Sequence, residues 1–266
     1  MNGRNRKVAM KRSDLAACLR LAESAALTAG HFLAAQRSAW RVMTHESGRD
    51  IKVKADGQAE TLIVDLLSAA SDLPIFSEET GWQAGAREAG QVWVVDPLDG
   101  SANYHQGIPG CAVSIALLED GQPVVGVVFD FNFDELFSGL VGAGAWLNHK
   151  AITVSEVSDP GKGVLMTGFP ARRDMSAQAL AALAGTWGRW RKVRMIGSAA
   201  LATSYVAAGR GDYYHEESTM IWDVAAGCAL IKAAGGVVDI SPGPLEDPRD
   251  VVGHNGKLAG VSVGNL

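Results

Sequence analysis

Val94-Val95-Asp96-Pro97-Leu98-Asp99-Gly100-Ser101-Ala102-Asn103-Tyr104 decides how the chain is read. Three apolar residues, Trp93 to Val95, predict a short buried strand that stops abruptly at two carboxylates spaced i and i+3 around a proline. Proline fixes its own φ and lacks an N–H donor, so the turn is stiff and both side chains aim at one point. Two carboxylates so placed repel unless a cation lies between them, and hard oxygen ligands favour Mg²⁺, Mn²⁺ or Ca²⁺. Gly100 and Ser101 follow with unhindered backbone N–H groups suited to an anion beside that cation. A divalent metal next to an anion cradle suggests phosphate chemistry. The plainer reading is that Asp-Pro merely opens a turn.

The rest of the chain bounds the possibilities. Its 266 residues are 47% hydrophobic and 20% charged, with 31 glycines and a net charge of −5, ordinary values for a globular protein with ample core. The mild acidic balance argues against a dedicated nucleic-acid binder. Arg4, Arg6, Lys7, Lys11 and Arg12 crowd residues 1–12 with no apolar stretch behind them, which predicts a basic, solvated tail rather than a secretory signal. Cys18, Cys111 and Cys228 are odd in number and far apart, so neither a disulfide framework nor a zinc spacing is visible. No apolar run reaches membrane-spanning length, and a cytoplasmic location is expected.

Two segments follow, expected at residues 13–158 and 159–266. The first opens with a long helix from Ser13, its expected N-cap, to about Ala35, with Gly30 weakening the last turns. Gln36 to Arg49 predicts a loop. A second helix, capped by Asp56, runs to about Ala70. Pro74-Ile75-Phe76 then delivers Ser77-Glu78-Glu79, another short strand ending in carboxylates, either solvated loop charges or ligands. From Cys111 to Val154 the pattern is antiparallel β with turns near Gly121, Asn132 and Gly142. After Pro160, strands and helices alternate: strands at Val164–Thr167, Val193–Ile196, Tyr213–His215 and Val237–Ile240, and helices at Asp174–Leu183, Gly197–Ala208 and Trp222–Ala234. Ser241 to Asn255 predicts a polar loop, with a final strand near Leu258 to Val263. Asp223, in Ile221-Trp222-Asp223-Val224-Ala225-Ala226-Gly227, caps a helix on the simplest view.

Taken in order, Ser77-Glu78-Glu79, Asp96-Pro97-Leu98-Asp99-Gly100-Ser101-Ala102-Asn103-Tyr104 and Trp222-Asp223-Val224-Ala225-Ala226-Gly227 resemble the inositol monophosphatase family, within the wider fructose-1,6-bisphosphatase and lithium-sensitive phosphatase group. The likeness runs from roughly Leu15 to the C-terminus. It implies an α+β fold, a five-layered αβαβα sandwich, with a metal site where the two lobes meet. Carried over by position, Glu78, Asp96 and the Leu98 carbonyl would hold one Mg²⁺ and Asp96, Asp99 and Asp223 a second. Glu78 would share a third, weaker ion with water. Asp50 matches the acidic residue that pairs with the hydroxyl after Asp-Gly to orient the attacking water. That hydroxyl is usually threonine in the family and here is Ser101, which keeps donor and acceptor but loses the methyl that restricts χ1. Glu79 matches a neighbouring acidic position with a supporting role. Gly100 and Ser101 would hold the phosphate; Asp99, Ala199, Glu216 and Asp223 would face the substrate, Glu216 on an inositol hydroxyl. Glu216 as a solvated loop charge is the alternative, and Tyr213 and Tyr214 are expected to face the core.

The implied reaction is hydrolysis of inositol monophosphate, or of a related sugar or cyclitol phosphate, by metal-activated water, with two or three Mg²⁺ and Mn²⁺ able to substitute. It needs no covalent phosphoenzyme. The six histidines form no constellation in the sequence. A homodimer and lithium inhibition are expected by resemblance alone. Bisphosphate nucleotidase or fructose-1,6-bisphosphatase activity are alternatives of the same class. A role of another class, as an accessory partner in RNA transcription that needs no catalysis, would suit the basic tail.

Overall fold

The computed structural model describes residues 11–47, 50–83, 90–168 and 176–259. The chain opens with α1 (Arg12–Trp40), a hairpin of β1 (Met43–Ser47) and β2 (Asp50–Val53), and α2 (Lys54–Ala70). Next come β3 (Ile75–Ser77), β4 (Gly81–Trp82), β5 (Gln91–Asp99) and the short α3 (Ser101–Gln106). A meander follows: β6 (Ala112–Glu119), β7 (Gln122–Asp130), β8 (Glu135–Leu140), β9 (Gly144–Leu147) and β10 (Lys150–Ile152). The rest is β11 (Val164–Thr167), α4 (Ala177–Trp187), β12 (Lys192–Arg194), α5 (Ala199–Ala207), β13 (Tyr213–Thr219), α6 (Ile221–Ala233), β14 (Val237–Ile240) and β15 (Arg249–His254).

Two sheets carry the fold. The larger has the order β10-β9-β8-β7-β6-β5-β3-β4 and is antiparallel except where β3 joins β5 in parallel. The smaller is mixed, in the order β12-β11-β13-β15-β14. Side chains of a strand alternate between faces, and both faces of the large sheet are buried. Trp93, Val95, Ile115, Leu117, Val127 and Phe129 pack against Ala22, Ala25, Ala26 and Leu33 of α1 and Ala59, Ile63 and Leu67 of α2. Their neighbours Val94, Ala116 and Val128 pack on the other side against α5 and α6, through Leu201, Ala225, Ala226 and Leu230. Met166, Tyr214 and Val251 of the small sheet close the same core from beyond α5 and α6. On the outer face of that sheet Leu165 and Tyr213 meet Trp190 and the half-buried Trp187 at the end of α4. The layers are therefore helix, sheet, helix, sheet, helix, as the resemblance implies.

Alanine recurs where helices touch sheets because a small side chain lets the backbones approach. Gly30 takes this furthest: a Cβ there would run into the Phe129 ring, so α1 crosses β7 at a point only glycine fits. The residue expected to weaken α1 is the one that seats it.

Several expectations are corrected. Lys11, not Ser13, is the N-cap of α1, and the helix continues to Trp40 rather than ending near Ala35. The loop expected from Gln36 to Arg49 contains the last turn of α1 and strand β1, whose residues after Met43 are all polar, in a hairpin that pairs with neither of the two sheets. Asp56 sits at the third position of α2 instead of the cap, although its Oδ2 still accepts from the Val53 N–H at 2.5 Å. The segment from Ser241 to Asn255 holds β15, which lies between β13 and β14. The start expected for α4 at Asp174 and the end of the last expected strand lie outside the described residues, as do residues 1–10 of the basic tail.

The decisive difference is in β5. The strand does not stop at Val95 but runs on through Pro97 to Asp99. Opposite it, Asp96 pairs with Ser114 and Asp99 with Ala112, so three steps on β5 match two on β6. In a regular strand, residues i and i+3 point to opposite faces. The extra residue is a bulge, and it turns both carboxylates the same way. Proline is tolerated at a bulge because no ladder hydrogen bond is asked of it there.

Candidate active site

Asp96, Asp99 and Asp223 each bring a carboxylate oxygen to within 4.8 Å of the other two. The bulge of β5 supplies the first pair. The third comes from the opening turn of α6, where Asp223 Oδ2 accepts from the Thr219 hydroxyl at 3.2 Å and the Met220 N–H at 3.3 Å. Asp223 thus both stabilises the start of a helix and faces the acidic centre. Asp99 Oδ2 accepts from the Ser198 hydroxyl at 2.5 Å and from the Ala200 N–H at 2.7 Å, which ties β5 to the start of α5. Asp96 Oδ1 accepts from the Leu98 N–H at 2.9 Å.

Glu78 adjoins this trio. It follows β3 directly, its N–H donating to the Val95 carbonyl at 3.1 Å, and its carboxyl is hydrogen-bonded to Asp96. Lys52 of β2 reaches the same corner, with Nζ 2.6 Å from Glu79 Oε1 and 3.9 Å from Glu78 Oε1. Burial of Lys52 works against its charge, but the bond to Glu79 and the charges of Glu78, Glu79 and Asp56 outweigh it and raise its pKa.

So many acids in one dry place cannot all ionise without a partner cation. Burial, followed by the charges of Glu78, Asp99 and Asp223, holds the Asp96 carboxyl well above the usual carboxylate range. Burial and then Asp99, Glu78 and Glu216 do the same to Asp223. Burial pushes Glu78 up to about 8 and Asp99 up to about 6. The donors are all carboxylate oxygens, a set that fits Mg²⁺, Mn²⁺ or Ca²⁺ and not a soft metal.

The hydroxyl beside the cluster departs from expectation. Ser101 Oγ lies 2.8 Å from Asp56 Oδ1 and 2.9 Å from the Leu98 carbonyl oxygen, so its one proton is given to either of these acceptors. A carboxylate that meets Ser101 is that of Asp56 on α2; the side chain of Asp50, the residue expected here, lies outside the described residues. Asp56 is 1% exposed, and burial pushes its pKa up to about 6. Both aspartates flank Ile51 to Ala55, so the sequence holds the right segment but not the choice within it.

Gly100 has φ +87°, and a Cβ there would lie 2.7 Å from the Gly110 carbonyl oxygen. Only glycine can make this turn, which joins the bulge to α3. Across the site, Glu216 is 8% exposed and accepts from the Tyr214 hydroxyl at 2.9 Å. Tyr214 is buried as expected, but its hydroxyl does a second task in orienting Glu216. The charge of Glu216 is felt at Asp223. Ala199 is the first residue of α5, next to the Ser198 and Ala200 groups that hold Asp99. Lys52, Asp56 and Tyr214 are the site residues that sequence reasoning passed over.

Comparison with known proteins agrees with this fold. A profile of the inositol monophosphatase family matches residues 14–261. A protein of Xylella fastidiosa named Nus factor SuhB is 43% identical over 195 residues, 73% of this chain and 70% of its own length. Inositol-1-monophosphatase of Synechocystis sp. is 37% identical over 258 residues, 92% of this chain and 87% of its own. The solved structure of inositol monophosphatase from Anabaena (Nostoc) sp. superposes with a TM-score of 0.80 at 34% identity, covering 92% of each chain. No helix among the described residues is long and apolar enough to cross a membrane. With its bulged Asp-Pro-Leu-Asp strand, its third aspartate on α6 and its layered sandwich, the chain belongs to the inositol monophosphatase family.

Proposed function

We propose that this chain is a Mg²⁺-dependent phosphomonoesterase acting on inositol monophosphate or a related sugar or cyclitol phosphate. The observation that carries the reading is the convergence of Asp96, Asp99 and Asp223 from β5 and α6 to within 4.8 Å, next to a Ser101 hydroxyl already paired with a carboxylate. Glu78, Asp96, Asp99, Asp223 and the Leu98 carbonyl would hold the ions, and Mn²⁺ would serve in place of Mg²⁺. When bound, the metal neutralises phosphate oxygens, lowers the pKa of water and stabilises the leaving alkoxide.

The protein's own part is to place groups. Ser101 Oγ passes its proton to Asp56 Oδ1 and so is free to take one from the attacking water, the role that the resemblance assigns to Asp50 and that falls here to Asp56. Backbone N–H groups of Gly100 and Ser101 receive the phosphate oxygens. Glu216, turned by Tyr214, accepts a hydroxyl of the substrate near Asp223. A dimer in the cytoplasm and inhibition by lithium accompany this proposal on resemblance alone.

A phosphate-release screen over inositol, sugar and nucleotide monophosphates with Mg²⁺ tests it. Release from a cyclitol or sugar phosphate that ceases in chelator is expected; release from none of them would refute it. A second reading, an accessory role in RNA transcription, draws on the Nus factor name of the Xylella fastidiosa relative. The Asp96→Asn protein separates the two: retained association with nucleic acid or transcription complexes without phosphate release would favour the second.

A further inference from the structure

Lys52 sits where charge is most crowded. Its ammonium is in hydrogen-bond contact with Glu79 and 3.9 Å from Glu78 Oε1, and Glu78 is in turn hydrogen-bonded to Asp96. Glu78 therefore has Lys52 on one flank and the aspartate trio on the other. The lysine side chain is 29% exposed and those of Glu78 and Glu79 are 20% and 18%, so these charges are only partly screened by water. Lys52 is held in register by the β1–β2 hairpin, where it pairs with His45, and is one residue from Val53, whose N–H binds Asp56.

A cation bound by Glu78 away from the trio would have to share that carboxylate with an ammonium a few ångströms off, and like charges so close repel. Glu79, which would otherwise add a second negative charge to attract it, is already neutralised. Resting on the metal-site reading above, we propose that Lys52 is a positioning residue that takes the outer cation place beside Glu78, so that this chain binds two divalent ions and not three. The lysine keeps Glu78 turned toward Asp96 and supplies permanently the charge that a weakly held third ion would bring only at high metal concentration.

The count of bound ions tests this without reference to turnover. Mn²⁺ is titrated into the full-length protein and the unbound ion is followed by electron paramagnetic resonance. Two Mn²⁺ per chain are expected for the native protein, three for Lys52→Met and two again for Lys52→Arg, which restores the charge. A native count other than two, or an unchanged count in Lys52→Met, overturns the proposal. Thermal melting establishes that each variant is folded; if Lys52→Met is not, Lys52→Gln takes its place and the native count still decides. No Mn²⁺ bound to the native chain would defeat the proposed function along with this inference, whereas two ions bound regardless of residue 52 would defeat this inference alone.

Discussion

Asp96→Asn is expected to make the metal-free protein more stable than the native chain at pH 8, while it abolishes phosphate release. Asp96 is 1% exposed and meets Glu78, Asp99 and Asp223, so its ionised form opposes folding. Burial and the charges of Glu78, Asp99 and Asp223 hold its pKa well above the ordinary carboxylate range. Each unit by which a folded pKa stands above its unfolded value is about 1.4 kcal/mol lost once the group ionises. Asparagine has the same shape, keeps the carbonyl oxygen that accepts from the Leu98 N–H, and offers Glu78 an N–H donor. Removing the charge should therefore raise the melting temperature, by about 2–4 °C for each kcal/mol recovered in a protein of this size. The sign follows from linkage. A carboxyl whose folded pKa is raised favours the native state while protonated, and that stabilisation is lost as pH climbs above about 4, where the carboxyl of the unfolded chain ionises. The two proteins should melt together near pH 4, and the variant should gain as pH rises. Differential scanning calorimetry in chelator measures this. Saturating Mg²⁺ should then narrow the gap, since ligand at a hundredfold its Kd adds about 2.7 kcal/mol to the native chain alone. A variant that melts below the native protein at pH 8 in chelator, or by the same margin at every pH, would refute the reasoning.

Asp56→Asn is expected to lower kcat by about 10²–10³, within the range for loss of a general acid–base partner. Asp50→Asn should leave the rate near native, and the opposite ranking in steady-state kinetics would return the role to Asp50. Because burial pushes Asp56 up to about 6, the rate should fall as pH drops through that value and the carboxylate takes a proton it then cannot accept from Ser101; a flat profile from pH 5 to 7 would count against it. Glu216→Ala should raise KM for inositol phosphate and spare a generic aryl phosphate, and equal effects on both would remove Glu216 from substrate recognition. Gly30→Ala should cost about 1–3 kcal/mol in denaturant unfolding by driving a methyl into the Phe129 ring.

The acidic cluster was legible because its members sit in short runs whose chemistry is local: an apolar strand ending in Asp-Pro-Leu-Asp-Gly, and an aspartate opening an alanine-rich helix. The bulge that makes Asp96 and Asp99 agree in direction was not, since it is a mismatch between β5 and β6 and exists only once the two are paired. The same holds for Asp56. It and Asp50 are equally acidic on either side of Ile51 to Ala55, and only the folded position of α3 brings Ser101 to Asp56. β15 was hidden for another reason: Arg249, Asp250, Gly253 and His254 look like loop residues, yet Arg249 is buried at 4% exposure, donating to the Ser241, Gly243 and Pro244 carbonyls. Lys52 alternates with Ile51 and Val53 and carries no motif of its own; its importance rests on Glu78 and Glu79, a helix and a strand further along.

The central claim is that distant acids share divalent ions, and anomalous diffraction from crystals soaked in Mn²⁺ addresses it directly. Peaks within coordination distance of Asp96, Asp99 and Asp223, absent from Asp96→Asn crystals, are predicted. A protein that releases phosphate from inositol monophosphate in the presence of Mn²⁺, yet shows no peak among those three carboxylates, would contradict it.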